Sequence, residues 1–218
     1  MTNETRKIKI LVTLLEDMLG TASNDKEIYR NFIASKAPDA KSVEDEIASV
    51  GVEEYSEKTM TVFHRDANGN PIIYDYLFKV FFKNACSIMK TIPGTKASKI
   101  KAFKKLIDGA IFPFPRQIQI NMIGELGLCQ RPLRASTALG ERVALACSES
   151  VPAGSVMCLE IECLNNDAYE LAIELLDYGR YNGLGQWHNG GKGRFDWKDV
   201  TDKSEEEIKD MIDRILGK

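Results

Sequence analysis

The chain has 218 residues, 44% hydrophobic and 28% charged, proportions that exclude a wholly disordered or fibrous chain. Lysine and arginine total 29 against 32 acids, a net charge of -3, which excludes a histone-like polycation but leaves room for a local basic patch. No apolar run approaches the roughly 18–20 residues of a membrane helix, and MTNETRKIKI lacks the continuous apolar core of a signal peptide, so a soluble, cytoplasmic chain with no membrane partner is expected.

Residues 7–16 (KIKILVTLLE) predict a strand that ends at the turn signal of Gly20. Residues 24–58 turn acidic, with seven acids and one lysine between Asp39 and Glu57, and read as a helical arm or insertion. Thr61–Phe63 are β-prone, and RDANGNP (65–71) is a turn expected between strand and helix. Asp66-x-Asn68 fails as a calcium loop, because Gly69 occupies the wrong slot and no glutamate follows at the required distance.

From Tyr74 to Met89 the apolar positions Leu77, Phe78, Phe81, Phe82, Ala85, Ile88 and Met89 form one face of a buried helix. Pro93-Gly94 breaks the chain, and a lysine-rich helix over 96–108 is expected to stop at Gly109. Strands are predicted over 116–123, 142–147 and 155–164. The last of these sets Leu159, Ile161 and Cys163 against Glu160 and Glu162 on the other face. Arg131 and Arg134 are placed on a loop between strands. There they either reach phosphate or pair with acids.

A helix is predicted to begin at Asp167, with Glu170 completing a capping box and Leu171, Leu175 and Leu176 as its buried stripe. The glycine-rich segment 179–195 leads into a short strand at 194–198. A last helix over 204–216 opens on Ser204 and Glu207, and its stripe of Ile208, Met211, Ile212, Ile215 and Leu216 is expected to pack on the domain. With the insertion removed, the order is βαββαβ. That predicts an α+β fold of the ferredoxin-like, split βαβ type in one domain over 1–218. The five cysteines form no CxxC pair and are expected to be free thiols, with no metal and no cofactor.

Two stretches carry candidate chemistry. Glycines 183, 185, 190, 191 and 193 share a segment with Arg180, Lys192 and Arg194, with the rings of Tyr181, Trp187 and His188, and with no acid between Asp177 and Asp196. Glycine lets a backbone approach phosphate closely, and rings beside cations suit single-stranded bases. Neither nucleotide-binding glycine motif fits: position 188 is histidine where GxGxxG needs glycine, and Lys192 precedes glycine where a P-loop needs Ser or Thr. The run from Tyr76 to Ile107 has eight lysines and no acid, a pattern able to neutralise phosphates.

The order of a strand, the turn RDANGNPII, a helix with a lysine near its start, a strand introduced by VPAGS, a helix and LGxxxxxGxGRF resembles the RAMP superfamily. Its members are the RNA-binding backbone subunits of CRISPR effector complexes. The resemblance spans Lys7 to Trp197 and implies a modified RNA-recognition domain with inserted arm and thumb elements. It also implies guide RNA along the glycine-rich loop and the helix after the turn, and copies that stack into a filament or ring. Lys79 matches the family's lysine early in that helix. Gly183, Gly185, Gly190, Gly191, Lys192, Gly193 and Arg194 match its loop. Where the family opens with a Pro-Gly-Ser-Ser type sequence, this chain has Tyr74-Asp75-Tyr76-Leu77, whose bulk and charge obstruct a phosphate. No motif selects a cleaving aspartate among Asp25, Asp39 and Asp45.

The expected activity is non-catalytic binding of single-stranded nucleic acid, RNA before DNA. Lys79, Lys83, Arg180, Lys192 and Arg194 neutralise phosphates, Trp187 or Tyr181 stacks on a base, and the glycines admit the backbone. The alternative is a protein-interaction module, carried by a phage, that mimics a backbone subunit and binds CRISPR effector subunits as an anti-CRISPR. A third reading is an endoribonuclease with His188 as general base.

Overall fold

A computed structural model of the chain describes residues 5–24, 60–137 and 140–217. The expected acidic arm, with Asp25, Asp39 and Asp45, lies outside the described residues apart from Asn24. No helix among the described residues is long and apolar enough to cross a membrane.

Strand β1 (Arg6–Leu14) shows the period of two that organises the molecule. Ile8, Ile10, Val12 and Leu14 enter the main core, whereas Leu11 joins a second cluster on the opposite face. β1 lies centrally in a four-stranded sheet of order β12 (Phe195–Asp199), β1, β11 (Val156–Cys163), β7 (Ile111–Phe114), with every neighbouring pair antiparallel. Helices α1 (Tyr76–Met89) and α4 (Asn166–Asp177) bury Phe78, Phe81, Phe82 and Leu171, Leu175, Leu176 in the core that this sheet closes. Phe195, the first residue of β12, meets the rings of Phe78 and Phe81 at centroid separations of 6.3 and 5.0 Å.

Strand β7 was not expected, because its sequence IFPF carries a proline. Its position explains the tolerance. Among the described residues β7 pairs with β11 alone and is an edge, where a missing N–H is tolerated on the side away from the ladder. The same reason applies to β9 (Gly127–Thr137), which contains Pro132 and pairs only with β10 (Gly140–Val151). The residues expected to form a loop around Arg131 and Arg134 therefore lie in one strand of a long hairpin. β10 continues into a second sheet with β2 (Met18–Leu19), β4 (Thr61–Val62) and β3 (Ala22–Ser23).

Other boundaries move for local reasons. The RDANGNP turn joins two strands, β5 (His64–Arg65) and β6 (Pro71–Tyr74), rather than a strand and a helix, and Asp66 accepts the N–H groups of Asn68 and Asn70 at 2.8 Å. Of the strand predicted over 116–123, only β8 (Gln117–Gln119) forms, and it pairs with β6. The lysine-rich segment splits into α2 (Lys96–Lys99) and α3 (Phe103–Ala110), with Gly109 inside α3 rather than after it. Ile88 is exposed on α1, not part of its buried stripe. Asn165 caps α4 by accepting the Ala168 N–H, and Glu170 turns instead to Asn166 and Lys96.

The C-terminal helix α5 (Glu205–Leu216) opens on the expected capping box of Ser204 and Glu207. Its Ile208, Met211, Ile212, Ile215 and Leu216 cover Leu11, Val156, Cys158 and Val200 on the sheet face opposite α1 and α4. Cys158 and Cys163 occupy opposite faces of β11, as their spacing required, and all five cysteines are free. Burial pushes the thiols of Cys86 and Cys163 up to about 11 and about 12, the behaviour of structural rather than reactive sulfur.

Candidate nucleic-acid interface

An RNA-recognition domain stacks bases on aromatic residues of its open sheet face. That face is occupied in this chain. α5 covers one part, and on the rest Lys7 bridges Glu160 and Glu162 at 3.3 and 3.1 Å while Lys9 pairs with Glu205. The candidate surface is therefore the loop between α4 and β12.

Glycine is required in this loop for packing of protein on protein. A Cβ on Gly183 would lie 2.1 Å from the carbonyl carbon of Gly193, and one on Gly193 (φ +67) would lie 2.0 Å from the Leu184 oxygen. The two sides of the loop thus touch backbone to backbone, fixed by the Leu184 N–H donating to Gly193 O at 2.9 Å. Gly185 (φ +80) lets the loop dock on β2, since its Cβ would fall 2.5 Å from Leu19 O. The Gly193 N–H donates to Asp17 O at 2.8 Å. Gly190 sits against the Trp187 indole. Of these five glycines, only Gly191 has no atom within 3.4 Å of where a Cβ would stand, its neighbours being Arg194 side-chain atoms at 3.6–4.0 Å. The expectation that the glycines open the backbone to phosphate is thus not met at Gly183, Gly185, Gly190 or Gly193, where the space is already filled.

The loop cations have partners that the local sequence does not contain. Lys192 Nζ lies 3.1 Å from Asp17, and Arg194 reaches Glu16 at 2.9 Å while its Nε donates to Gly191 O at 3.2 Å. Arg180 holds both oxygens of Asp196 at 3.0 and 3.1 Å. Partial burial raises the Asp17 carboxyl, but the Ala153 N–H and Lys192 outweigh it and leave Asp17 below the ordinary aspartate range. These pairs remain open to solvent, the Arg180 pair fully and the other two in part, and such ion pairs are weak, so a strand of phosphates is able to displace them.

The lysines of α1 do not join this group. Lys79 Nζ donates to Asp108 O at 3.1 Å and lies 4.3 Å over the Phe112 ring, and Lys83 pairs with Asp108 at 2.6 Å. Both reach towards α3 and β7, at the edge of the sheet opposite β12. A single track made from the loop and the α1 lysines, as the sequence suggested, is not formed by these contacts. The start of α1 is also closed. Asp75 accepts the Tyr76 N–H at 2.8 Å and pairs with Arg116 at 2.6 Å. Arg116 in turn lies 5.4 and 5.8 Å over the stacked rings of Tyr74 and Tyr76. A helix N-terminus that already holds a carboxylate has little left to offer a phosphate.

What the loop does present is flat surface. Tyr181 is 72% exposed and Trp187 is 46% exposed. Trp187 adopts the left-handed region (φ 55), and β9 brings the Arg131 guanidinium to 4.6 Å from its indole centroid. Trp187 and Tyr181 are the rings expected to stack, whereas Arg131, expected on a loop, lies in β9. His188 Nδ1 donates to Gly185 O at 3.0 Å, which leaves Nε2 as its free nitrogen. No carboxylate or second histidine among the described residues contacts it. His64 packs edge-on to Tyr74, and burial holds it below the usual histidine range.

No known protein-family model matches the chain, and no curated protein sequence matches it. Solved structures do. A chain of the Type III-B Cmr-beta complex bound to cognate target RNA, seen by cryo-electron microscopy, superposes with a TM-score of 0.50 at 10% identity. That superposition covers 89% of this chain but 59% of the other, so this chain spans well under two thirds of its neighbour's length. The crystal structure of Cmr6 from Pyrococcus furiosus superposes less well, with a TM-score of 0.43 at 12% identity over 88% of this chain and 98% of that one. At such identity the first likeness shows the fold alone, a mixed α+β fold.

Proposed function

We propose that this chain binds single-stranded RNA without cleaving it, as a RAMP-type protein of a CRISPR-related system. The observation that carries the reading is the pair of exposed rings, Tyr181 and Trp187, on a loop that also bears Arg180, Lys192 and Arg194. Rings beside cations suit unpaired bases on a phosphate backbone, and a duplex offers its bases to neither. The fold supports the reading. The elements β1, α1, β7, β11, α4 and β12 follow the βαββαβ order, and the sheet order places the last strand beside the first, as in a ferredoxin-like domain.

In this reading Tyr181 and Trp187 stack on successive bases. Phosphates replace Asp17, Glu16 and Asp196 as partners of Lys192, Arg194 and Arg180. Lys79 and Lys83 contribute through the general field, since their side chains are turned to Asp108. The test is fluorescence anisotropy of a labelled single-stranded RNA against the full chain, with a salt titration. Replacing Tyr181 and Trp187 together by alanine is expected to weaken binding about tenfold or more, because stacking is worth about 1–3 kcal/mol per base. An unchanged affinity in that variant, or no binding by the parent chain, defeats the reading.

A second reading rests on the closed start of α1, where Asp75 and Arg116 occupy the place an anion would take. It is a backbone-like module that contacts CRISPR effector subunits rather than RNA. Copurification with defined Type III-B effector subunits, in a preparation whose absorbance is free of nucleic acid, is the outcome that favours it.

A further inference from the structure

Arg131 differs from every cation of the glycine-rich loop. Arg180, Lys192 and Arg194 each hold a carboxylate of the chain, whereas Arg131 has no ion pair among the described residues, and its Nε and one terminal nitrogen are buried with no hydrogen-bond partner. A guanidinium cannot shed its proton at any ordinary pH, so it has no way to avoid being charged there. Buried donors without acceptors are rare in native proteins and call for a specific explanation. The arginine is held in place all the same. Its backbone lies in register with Ala146 in the β9–β10 ladder, and its guanidinium carbon lies 4.6 Å from the centroid of the Trp187 indole.

The ring beneath it is equally constrained. Trp187 has φ 55, a conformation that bulky side chains adopt rarely and that concentrates at functional sites. Gly190 lies against the indole at Nε1, since a Cβ there would stand 2.4 Å from that atom. Two separate irregularities, a left-handed backbone at Trp187 and an unanswered charge at Arg131, therefore meet at one point where the hairpin approaches the loop.

We propose that Arg131 and Trp187 form a built acceptor site for one nucleotide of the bound strand. On binding, the Arg131 side chain turns its buried edge outward to a backbone phosphodiester, which supplies the missing acceptors, and the base lies against the exposed part of the Trp187 ring. This deepens the RNA-binding reading and rests on it. The guanidinium fork suits the paired oxygens of a phosphodiester.

The test compares Arg131→Gln and Arg131→Lys with the parent chain, using anisotropy of a short labelled oligouridylate and thermal unfolding of the free proteins. Arg131→Gln is expected to weaken binding about tenfold and to lower the slope of log affinity against log salt by roughly 0.7, the share of one phosphate on a single strand. Its melting temperature should stay level or rise, because an unpaired buried donor is removed. Arg131→Lys keeps the charge and loses the fork, so it should recover the salt slope but not the full affinity. In a Trp197→Phe background, RNA should quench the emission of Trp187, and Arg131→Gln should reduce that quenching. If the parent chain does not bind the oligouridylate, the RNA-binding reading fails. If the parent binds and Arg131→Gln stays within twofold, or if melting temperature and affinity fall together in both variants, the reading stands and the Arg131 site is overturned.

Discussion

Two stretches of this chain are rich in positive charge, and the fold treats them in opposite ways. In the loop between α4 and β12, Arg180, Lys192 and Arg194 are matched by Asp196, Asp17 and Glu16. On α2, α3 and the turn between them, Lys99, Lys101, Lys104 and Lys105 are exposed and make no ion pair among the described residues. Counting charge along the sequence favours the second stretch. The loop nevertheless carries the stronger case, because it sets cations beside rings, and its ion pairs hold a defined geometry that a ligand can take over. Positive charge alone contributes a diffuse, salt-sensitive attraction, whereas a cation fixed beside a flat surface selects what it binds.

The sharpest way to break this comparison is to undo the docking of the loop. Gly193→Ala places a Cβ 2.0 Å from the Leu184 oxygen at a residue with φ +67. It is expected to cost about 3 kcal/mol or more, combining a backbone clash with a strained dihedral. Gly109→Ala on α3 is the matched control. It meets nothing within 4 Å inside a helix and should stabilise by about 0.5–1 kcal/mol. Urea unfolding of the two variants reads both effects. Equal midpoints show that the two sides of the loop are not packed together at Leu184 and Gly193.

That corner also shows where reading from sequence stops. The alternation of β1 and β11, the buried stripe of α4 and the cap and stripe of α5 were legible, because each depends on neighbours within a few residues. The partners of Lys192 and Arg194 were not, since Asp17 and Glu16 lie 175 and 178 positions away and meet them only once β1 and β12 pair. β7 and β9 were hidden by Pro113 and Pro132, residues that argue against a central strand and are silent about an edge. With β9 unseen, Arg131 had no address, so the contact with Trp187 was out of reach although both residues had been noted. The loop glycines were found correctly but assigned the wrong neighbour, protein backbone being as demanding of space as a phosphate.

Removing the loop's own anions sharpens the comparison next. Glu16→Gln together with Asp17→Asn frees Arg194 and Lys192, and RNA affinity at low salt should rise by about fivefold, near 1 kcal/mol. Unchanged affinity means that these cations do not meet the strand. Asp17→Asn also has a pH signature. The Asp17 carboxyl is held below its ordinary value of 3.8, so the unfolded chain takes up that proton first as pH falls. Its stabilisation is present above about pH 4 and is lost as acid carries the pH down through the lowered value. The parent should therefore lose stability over that window, and the variant should lose less.

The smallest effect belongs to the unpaired lysines. Lys104 and Lys105 are exposed on α3, near β7 and away from the loop at β12. Reversing both to glutamate changes the net charge from -3 to about -7. If binding is localised at the loop, that change acts only through the long-range field. Screening over about 8 Å at physiological salt should then hold the loss within about twofold, growing as salt is lowered. Anisotropy at two ionic strengths separates the cases. A loss of tenfold or more at physiological salt places the strand on α3, and the rings of Tyr181 and Trp187 then lie beside the path rather than on it.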